Sequence, residues 1–197
     1  MHSQQQEEGF ILKSVEGISN GNFVDVGAYD GVNYSNTVAL LERGWSGVMV
    51  EAGINAFMRL LDVHGAKPKV KLVHAALGLT NDLSPFWSNP ASFSTTLESN
   101  RDKFIHEGFS PKFYVPTITW DKLIFQLPIA SIDVLSIDTE GTSMDLFRAF
   151  LAGGFCRPRC ICVEHDGRRD EVLGLAEMNG YRSLYINEEN LVCEDAQ

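Results

Sequence analysis

Short apolar runs of strand length alternate along this chain with stretches whose apolar positions recur at a helical period, and glycine or asparagine stands at most of the joins. Phe10, Ile11, Val15 and Ile18 mark a leading helix within residues 5 to 19, closed by Ser19-Asn20-Gly21. Phe23 to Gly27 predicts a first strand, and a helix from Ser35 to Arg43 follows, with Ser35 or Asn36 as cap and Gly44 as its stop. Residues 47 to 51 give a second strand, Ala56 to His64 a helix, and Lys69 to Leu77 a third strand. This βαβαβ order implies a parallel sheet with right-handed crossovers.

Residues 78 to 113 break the rhythm. Asn81-Asp82, Ser84-Pro85, Asn89-Pro90 and Ser92 to Thr96 carry turn chemistry around exposed-looking Phe86, Trp87 and Phe93, so this stretch is expected to be a long irregular loop. Loops of that length in compact domains are usually lids or binding loops, or else locally disordered, and the aromatic content favours the first. Tyr114 to Thr119 predicts a short extra strand and Trp120 to Gln126 a helix. The alternation then resumes with a strand at Ile132 to Asp138, a helix at Ser143 to Leu151, a strand at Cys160 to Glu164 and a helix at Asp170 to Met178. Tyr181 to Ile186 and Leu191 to Cys193, separated by Asn187 to Asn190, predict an antiparallel hairpin at the sheet edge.

At 197 residues, the chain suits one domain with a sizeable core, and 44% hydrophobic with 21% charged residues is an ordinary globular composition. A net charge of -10 opposes binding to a phosphate backbone or an anionic membrane, since both require clustered Lys and Arg. Residues 1 to 8 have neither a basic region nor an apolar run of signal-peptide length, and no later segment is apolar for long enough to span a bilayer, so a cytoplasmic location is expected. Cys156, Cys160 and Cys162 invite a zinc reading, but no second ligand pair stands at a usual spacing. Reduced cysteines filling a core are the simpler expectation, with Cys193 the fourth.

The candidate chemistry gathers at strand ends. Asn22 to Gly31 reads as a buried strand entering a turn punctuated by Gly27 and Gly31, where a ligand can lie against bare backbone. Glu51 ends the next strand, the position from which an open α/β sheet holds ribose hydroxyls. Asp138 and Glu164 end two further strands, and parallel strands open their carboxyl ends into one crevice. Each of these acids alone could instead cap the following helix. Asp25, inside an apolar run, requires a partner, either turn amides or a ligand's ammonium group. The turn lacks the G-x-G-x-x-G spacing that admits a pyrophosphate. Acids at 25 and 30 suit a phosphate-free ligand with a positive centre, which describes S-adenosylmethionine.

Four segments resemble FkbM-type methyltransferases, a branch of the class I S-adenosylmethionine-dependent enzymes: Phe23 to Gly31 with Ser35-Asn36-Thr37, Gly44 to Ala52, Thr117 to Leu123, and Ile132 to Gly141. The resemblance runs from about residue 22 to 165 and departs at Trp120, where an aliphatic residue is usual; this indole is expected to pack under the insertion. It implies a single Rossmann-like, doubly wound domain over residues 1 to 197, with a mostly parallel seven-stranded sheet whose last strand is antiparallel. The leading helix would occupy residues 1 to 21, and residues 78 to 119 would be an insertion shaping the acceptor site. By the same resemblance, Gly27, Asp30 and Gly31 would surround the methionine part of the donor, with Asp25 beside them. Glu51 would hold the ribose, and Ala75 and Ala76 would lie near adenine. The implied reaction is methyl transfer to an oxygen of a sugar or other small hydroxylated acceptor.

Such a transfer requires alignment of the acceptor oxygen and removal of its proton. Asp138, Glu140 and His165 are the candidate catalytic groups, His165 being either a base or a histidine held by hydrogen bonds at a loop start. Asp138 with Glu164 or Asp166 offers an oxygen set for Mg2+, which spacing alone does not establish. Two alternatives stand beside this reading. An NAD-dependent oxidoreductase would use Glu51 equally well, although the dinucleotide fingerprint is missing; a non-catalytic cofactor-binding module would leave acids at three strand ends without a task.

Overall fold

The computed structural model describes residues 2–88, 94–96, 113–127 and 131–197. The elements, in chain order, are α1 (Glu7–Ser14), β1 (Asn22–Val26), α2 (Val38–Glu42), β2 (Ser46–Glu51), α3 (Ile54–His64), β3 (Val70–His74), β4 (Ala76–Leu77), β5 (Asp82–Ser88), β6 (Ser94–Thr95) and β7 (Phe113–Ile118). There follow α4 (Trp120–Gln126), β8 (Val134–Ile137), α5 (Ser143–Gly153), β9 (Cys160–Glu164), α6 (Arg169–Met178), β10 (Tyr181–Ile186) and β11 (Asn190–Asp195).

Seven strands form one sheet in the order β10-β11-β9-β8-β1-β2-β3. β1 pairs in parallel with both β2 and β8, with Val26 opposite Val50 on one side and Ile137 on the other. The chain therefore winds outward through β2 and β3 and then crosses back to β8, which makes the β1–β8 junction the switch point where such sheets open a crevice. β11 enters between β9 and β10, antiparallel to each, so the final strand reverses the sheet's direction as expected.

A parallel sheet covered on both faces demands apolar strands. Val24, Val26, Leu135 and Ile137 pack on one face with Leu123, Phe147 and Val172 of α4, α5 and α6. Phe23, Met49 and Val134 pack on the other with Ile11, Leu40 and Leu60 of α1, α2 and α3. Cys160, Cys162 and Cys193 are free thiols buried in these layers, and burial pushes each of them up from the ordinary cysteine range. Among the described residues no helix is long and apolar enough to cross a membrane.

Several local expectations change. The leading helix is shorter, Glu7–Ser14, and α2 begins only at Val38, although Ser35 Oγ does accept the amides of Thr37 and Val38 at 3.3 and 3.1 Å. The third strand breaks at Ala75, whose amide donates to the Glu51 carbonyl at 3.2 Å, and β4 leaves the main sheet to pair with β7. Part of the stretch expected to be an irregular loop is a strand: β5 pairs antiparallel with β7 from Asp82↔Thr117 to Phe86↔Phe113 in a second sheet ordered β4-β7-β5-β6. A partner about thirty residues away supplies what local turn chemistry concealed. Phe86 and Trp87, expected to be exposed, are buried, and Phe86 packs with Ala76 and Val115. Asn89-Pro90, Ser92 and Phe93 lie outside the described residues. The hairpin forms, but only β10 is at the edge.

Trp120 packs against α5. Its Nε1 donates to the Leu146 carbonyl at 2.8 Å, and its ring meets Phe150 edge-on at 5.0 Å. Trp120→Phe removes that buried bond and leaves a void, so we expect a loss of about 2 kcal/mol in urea unfolding, with the donor cavity unaffected.

Candidate functional site

The site begins where β1 ends. Gly27 and Ala28 donate their amides to the Val50 carbonyl at 2.9 and 3.1 Å, which turns the chain across the end of β2. Gly27 has φ +85°, and a Cβ there would lie 1.6 Å from the carbonyl oxygen of Asp138. Only glycine lets the loops after β1 and β8 meet backbone to backbone. Asp30 stiffens the rest of the turn: its Oδ1 accepts the amides of Val32 and Asn33 at 3.0 and 2.8 Å, and its Oδ2 accepts Asn33 Nδ2 at 2.7 Å.

Two buried acids face the crevice from adjacent strands. Asp25 accepts a hydrogen bond from Thr37 Oγ1 at 2.6 Å, and burial pushes its carboxyl up to about 6 despite bonds from Thr37 and Ser136. Asn36 Nδ2 donates to Ser136 Oγ at 3.4 Å, extending this polar file to α2. Glu51 Oε2 accepts the Tyr29 amide at 2.9 Å and Oε1 the Gly53 amide at 2.6 Å. Burial pushes Glu51 up to about 7, with the charge of Asp25 adding to the effect.

Across the switch point stands a second acidic group. Asp138, Glu140 and Glu164 each offer an oxygen, and these oxygens lie within 4.8 Å of one another. Glu164 Oε2 accepts the Glu140 amide at 3.0 Å and Ser143 Oγ at 2.9 Å. Burial raises Asp138 first and the charge of Glu140 second; burial, then the charges of Asp138 and Asp166, raises Glu164. Burial also raises Asp166, whose Oδ2 is a buried oxygen with no hydrogen-bond partner.

A cavity of about 240 Å3 joins the two groups. Of the residues singled out in the sequence, Asp25, Gly27, Glu51, Ala75, Ala76, Asp138 and Glu140 line it; Asp30, Gly31, Glu164, His165 and Asp166 do not. Asp30 and Gly31 belong to the turn but not to the cavity wall. His165 is buried, with Nε2 3.3 Å from the Asn187 carbonyl and Nδ1 accepting the Gly167 amide at 3.2 Å, so both ring nitrogens hold loop backbone. The sequence reading missed Tyr29, Asn33, Ser136, Thr139, Thr142 and Phe86, which also line the cavity. Ser136 had a visible signal, since it is a polar residue inside the apolar run that pairs with β1. Phe86 was marked only as one aromatic of an expected binding loop, and its seat against Ala76 depends on the β5–β7 pairing.

A doubly wound sheet with an acid-lined crevice at its switch point defines a nucleoside-binding α/β domain. The Methyltransferase FkbM domain matches residues 25–184, and the chain belongs to that family, whose methyl donor is S-adenosylmethionine. A search of curated proteins finds no match. Among solved structures, the chain is similar to methyltransferase FkbM from Methylobacillus flagellatus, at 11% identity and a TM-score of 0.54, covering 93% of this chain and 47% of that one. It is also similar to a candidate RNA methyltransferase from Pyrococcus horikoshii, at 13% identity and a TM-score of 0.51, covering 96% of this chain and 80% of that one. A third is the candidate methyltransferase yhhF from Escherichia coli, at 10% identity and a TM-score of 0.52, covering 100% of this chain and 89% of that one. At these identities, the likeness is one of fold.

The residues present suit that donor. Among the described residues lining the cavity are four acids and no Lys or Arg, which favours a cationic ligand without phosphates. The buried acids also set the stability profile. A raised carboxyl pKa stabilises the fold fully below the ordinary glutamate range and loses that contribution as pH rises through the folded value, about 7 for Glu51. We therefore expect urea stability without ligand to fall from pH 4.5 to pH 7.5, with Glu51→Gln removing about 2 kcal/mol of that fall.

Proposed function

We propose that this chain transfers a methyl group from S-adenosylmethionine to an oxygen of a sugar or other small hydroxylated acceptor. The carrying observation is the cavity that joins Asp25 and Glu51, beneath the glycine turn, to Asp138 and Glu140 across the switch point. In this reading Glu51 accepts the ribose hydroxyls, its two oxygens held in place by the Tyr29 and Gly53 amides. Asp25 and the backbone at Gly27 receive the amino-acid end, the turn that also holds Asp30 and Gly31 being stiffened from within by the Asp30 carboxylate. Ala75 and Ala76 flank the base, with Phe86 beside Ala76.

When bound, S-adenosylmethionine supplies the electrophilic methyl group. Asp138 and Glu140 position the acceptor hydroxyl, and Asp138, made a stronger base by burial, takes its proton. His165, with both nitrogens engaged by backbone, steadies the loop that follows β9. We place the acceptor side under the insertion of residues 78 to 119 within a single domain of residues 1 to 197; Thr96 on the cavity wall supports this. A small acceptor, in preference to nucleic acid, is supported by the net charge of -10. The buried, free cysteines support a reducing, cytoplasmic setting. Mg2+ at Asp138, Glu140 and Glu164, with Asp166 alongside, rests on their oxygen donors alone. Activity lost to EDTA and restored by Mg2+ checks it; activity indifferent to EDTA removes the ion from the reading.

Calorimetry with S-adenosylhomocysteine tests the donor site. We expect binding that strengthens from pH 6 to pH 8, because ionised Glu51 is the better acceptor for hydroxyls. Glu51→Gln should weaken it by about tenfold to a hundredfold and flatten the pH dependence. No binding by the wild type at millimolar ligand, or a larger thermal shift with NAD, contradicts the proposal. Phe86→Ala should weaken adenosine binding by about tenfold while sparing the fold of the main sheet.

A further inference from the structure

Behind the donor turn lies a buried imidazole that the proposed chemistry does not use. His64, at the end of α3, is fully buried, and its Nε2 is 2.9 Å from the carbonyl oxygen of Gly31. Its Nδ1 is 2.9 Å from Nζ of Lys67, whose own amide donates to the His64 carbonyl at 2.9 Å. An ammonium group has hydrogens to give and no lone pair to offer, so Nδ1 must be the acceptor. The hydrogen of the neutral ring therefore sits on Nε2 and is donated to Gly31. Burial first, and the charge of Lys67 after it, disfavour a protonated ring, although the bond to Gly31 and the carboxylate of Asp30 work the other way.

The contact is close on every side. Gly31 has φ +69°, and a Cβ there would meet Leu60 Cδ1 at 2.5 Å and the His64 ring at 2.7 Å, so the turn is seated directly on α3. Asp30 organises the turn from within, and the His64 bond fixes it from without. Ala28, Tyr29 and Asn33, on the far side of the same turn, line the cavity.

We propose that His64, as the neutral Nε2–H tautomer, is a positioning residue for the donor: it holds the Gly31 carbonyl and so sets where the residue 27 to 34 turn meets the ligand. The inference rests on the donor reading above. His64→Gln keeps an N–H donor near the Nε2 position, and His64→Leu fills the space without one. We expect His64→Leu to weaken S-adenosylhomocysteine binding by about tenfold, with kcat at saturating donor within about twofold of wild type. His64→Gln should restore affinity to within about threefold. Equal donor affinity in all three proteins, or equal loss in both variants, overturns the inference while leaving the donor reading intact. A wild type that fails to bind the ligand overturns the reading itself. Should His64→Leu not fold, nitrogen-15 NMR of the wild-type imidazole still decides: Nε2–H in the free and bound states upholds the inference, and Nδ1–H refutes it.

Discussion

Everything at this site depends on two backbones touching at the switch point. Gly27 faces the carbonyl of Asp138 at a distance that excludes any side chain, so the loops after β1 and β8 are fixed relative to one another by contact and not by a bridging residue. The hydrogen bonds of β1 to β8, ending at Val26 and Ile137, bring the chain to that point, and the Asp138 amide donating to the Val26 carbonyl at 2.8 Å continues the ladder past the strand's end. The crevice is therefore a product of the sheet's connectivity, with glycine as the local condition for closing it.

Buried acids are the cost of this arrangement. Asp25, Glu51, Asp138 and Glu164 are each raised chiefly by loss of water; amides or hydroxyls compensate Asp25, Glu51 and Glu164 only in part, and Asp138 is eased by its hydrogen bond with the Glu164 carboxyl. A protein gains little stability from such a group, whereas a bound cation or hydroxyl donor would recover much of what burial loses. The second sheet fits the same picture, because β5 brings Phe86 against Ala76 and roofs one end of the cavity with apolar surface that strengthens the electrostatics beneath.

The main sheet was legible because its strands are apolar on both faces and are separated by helical spacing and glycine stops; β1, β2, β8 and β9 fell within a residue or two of their expected places. The strand-end acids were legible for the same reason, since the direction of the strands places Glu51 and Asp138 at one end. Two things were hidden. Asn81, Pro85 and their neighbours signalled turns, and it is pairing with the distant β7, and with β6 at Trp87 and Ser88, that makes Asp82–Ser88 a strand. His165 had the right residue type at a strand end, but its hydrogen-bond partners, Asn187 and Gly167, are set by the β10–β11 hairpin and a left-handed turn that periodicity does not reveal.

The most direct measurement is the structure of the complex with S-adenosylhomocysteine. The donor reading requires the ribose hydroxyls on Glu51, the amino-acid end against Gly27 and Asp25, and the sulfur facing Asp138 and Glu140. Ligand seated away from the β1–β8 crevice, or a crevice that stays empty at saturating ligand, would contradict it.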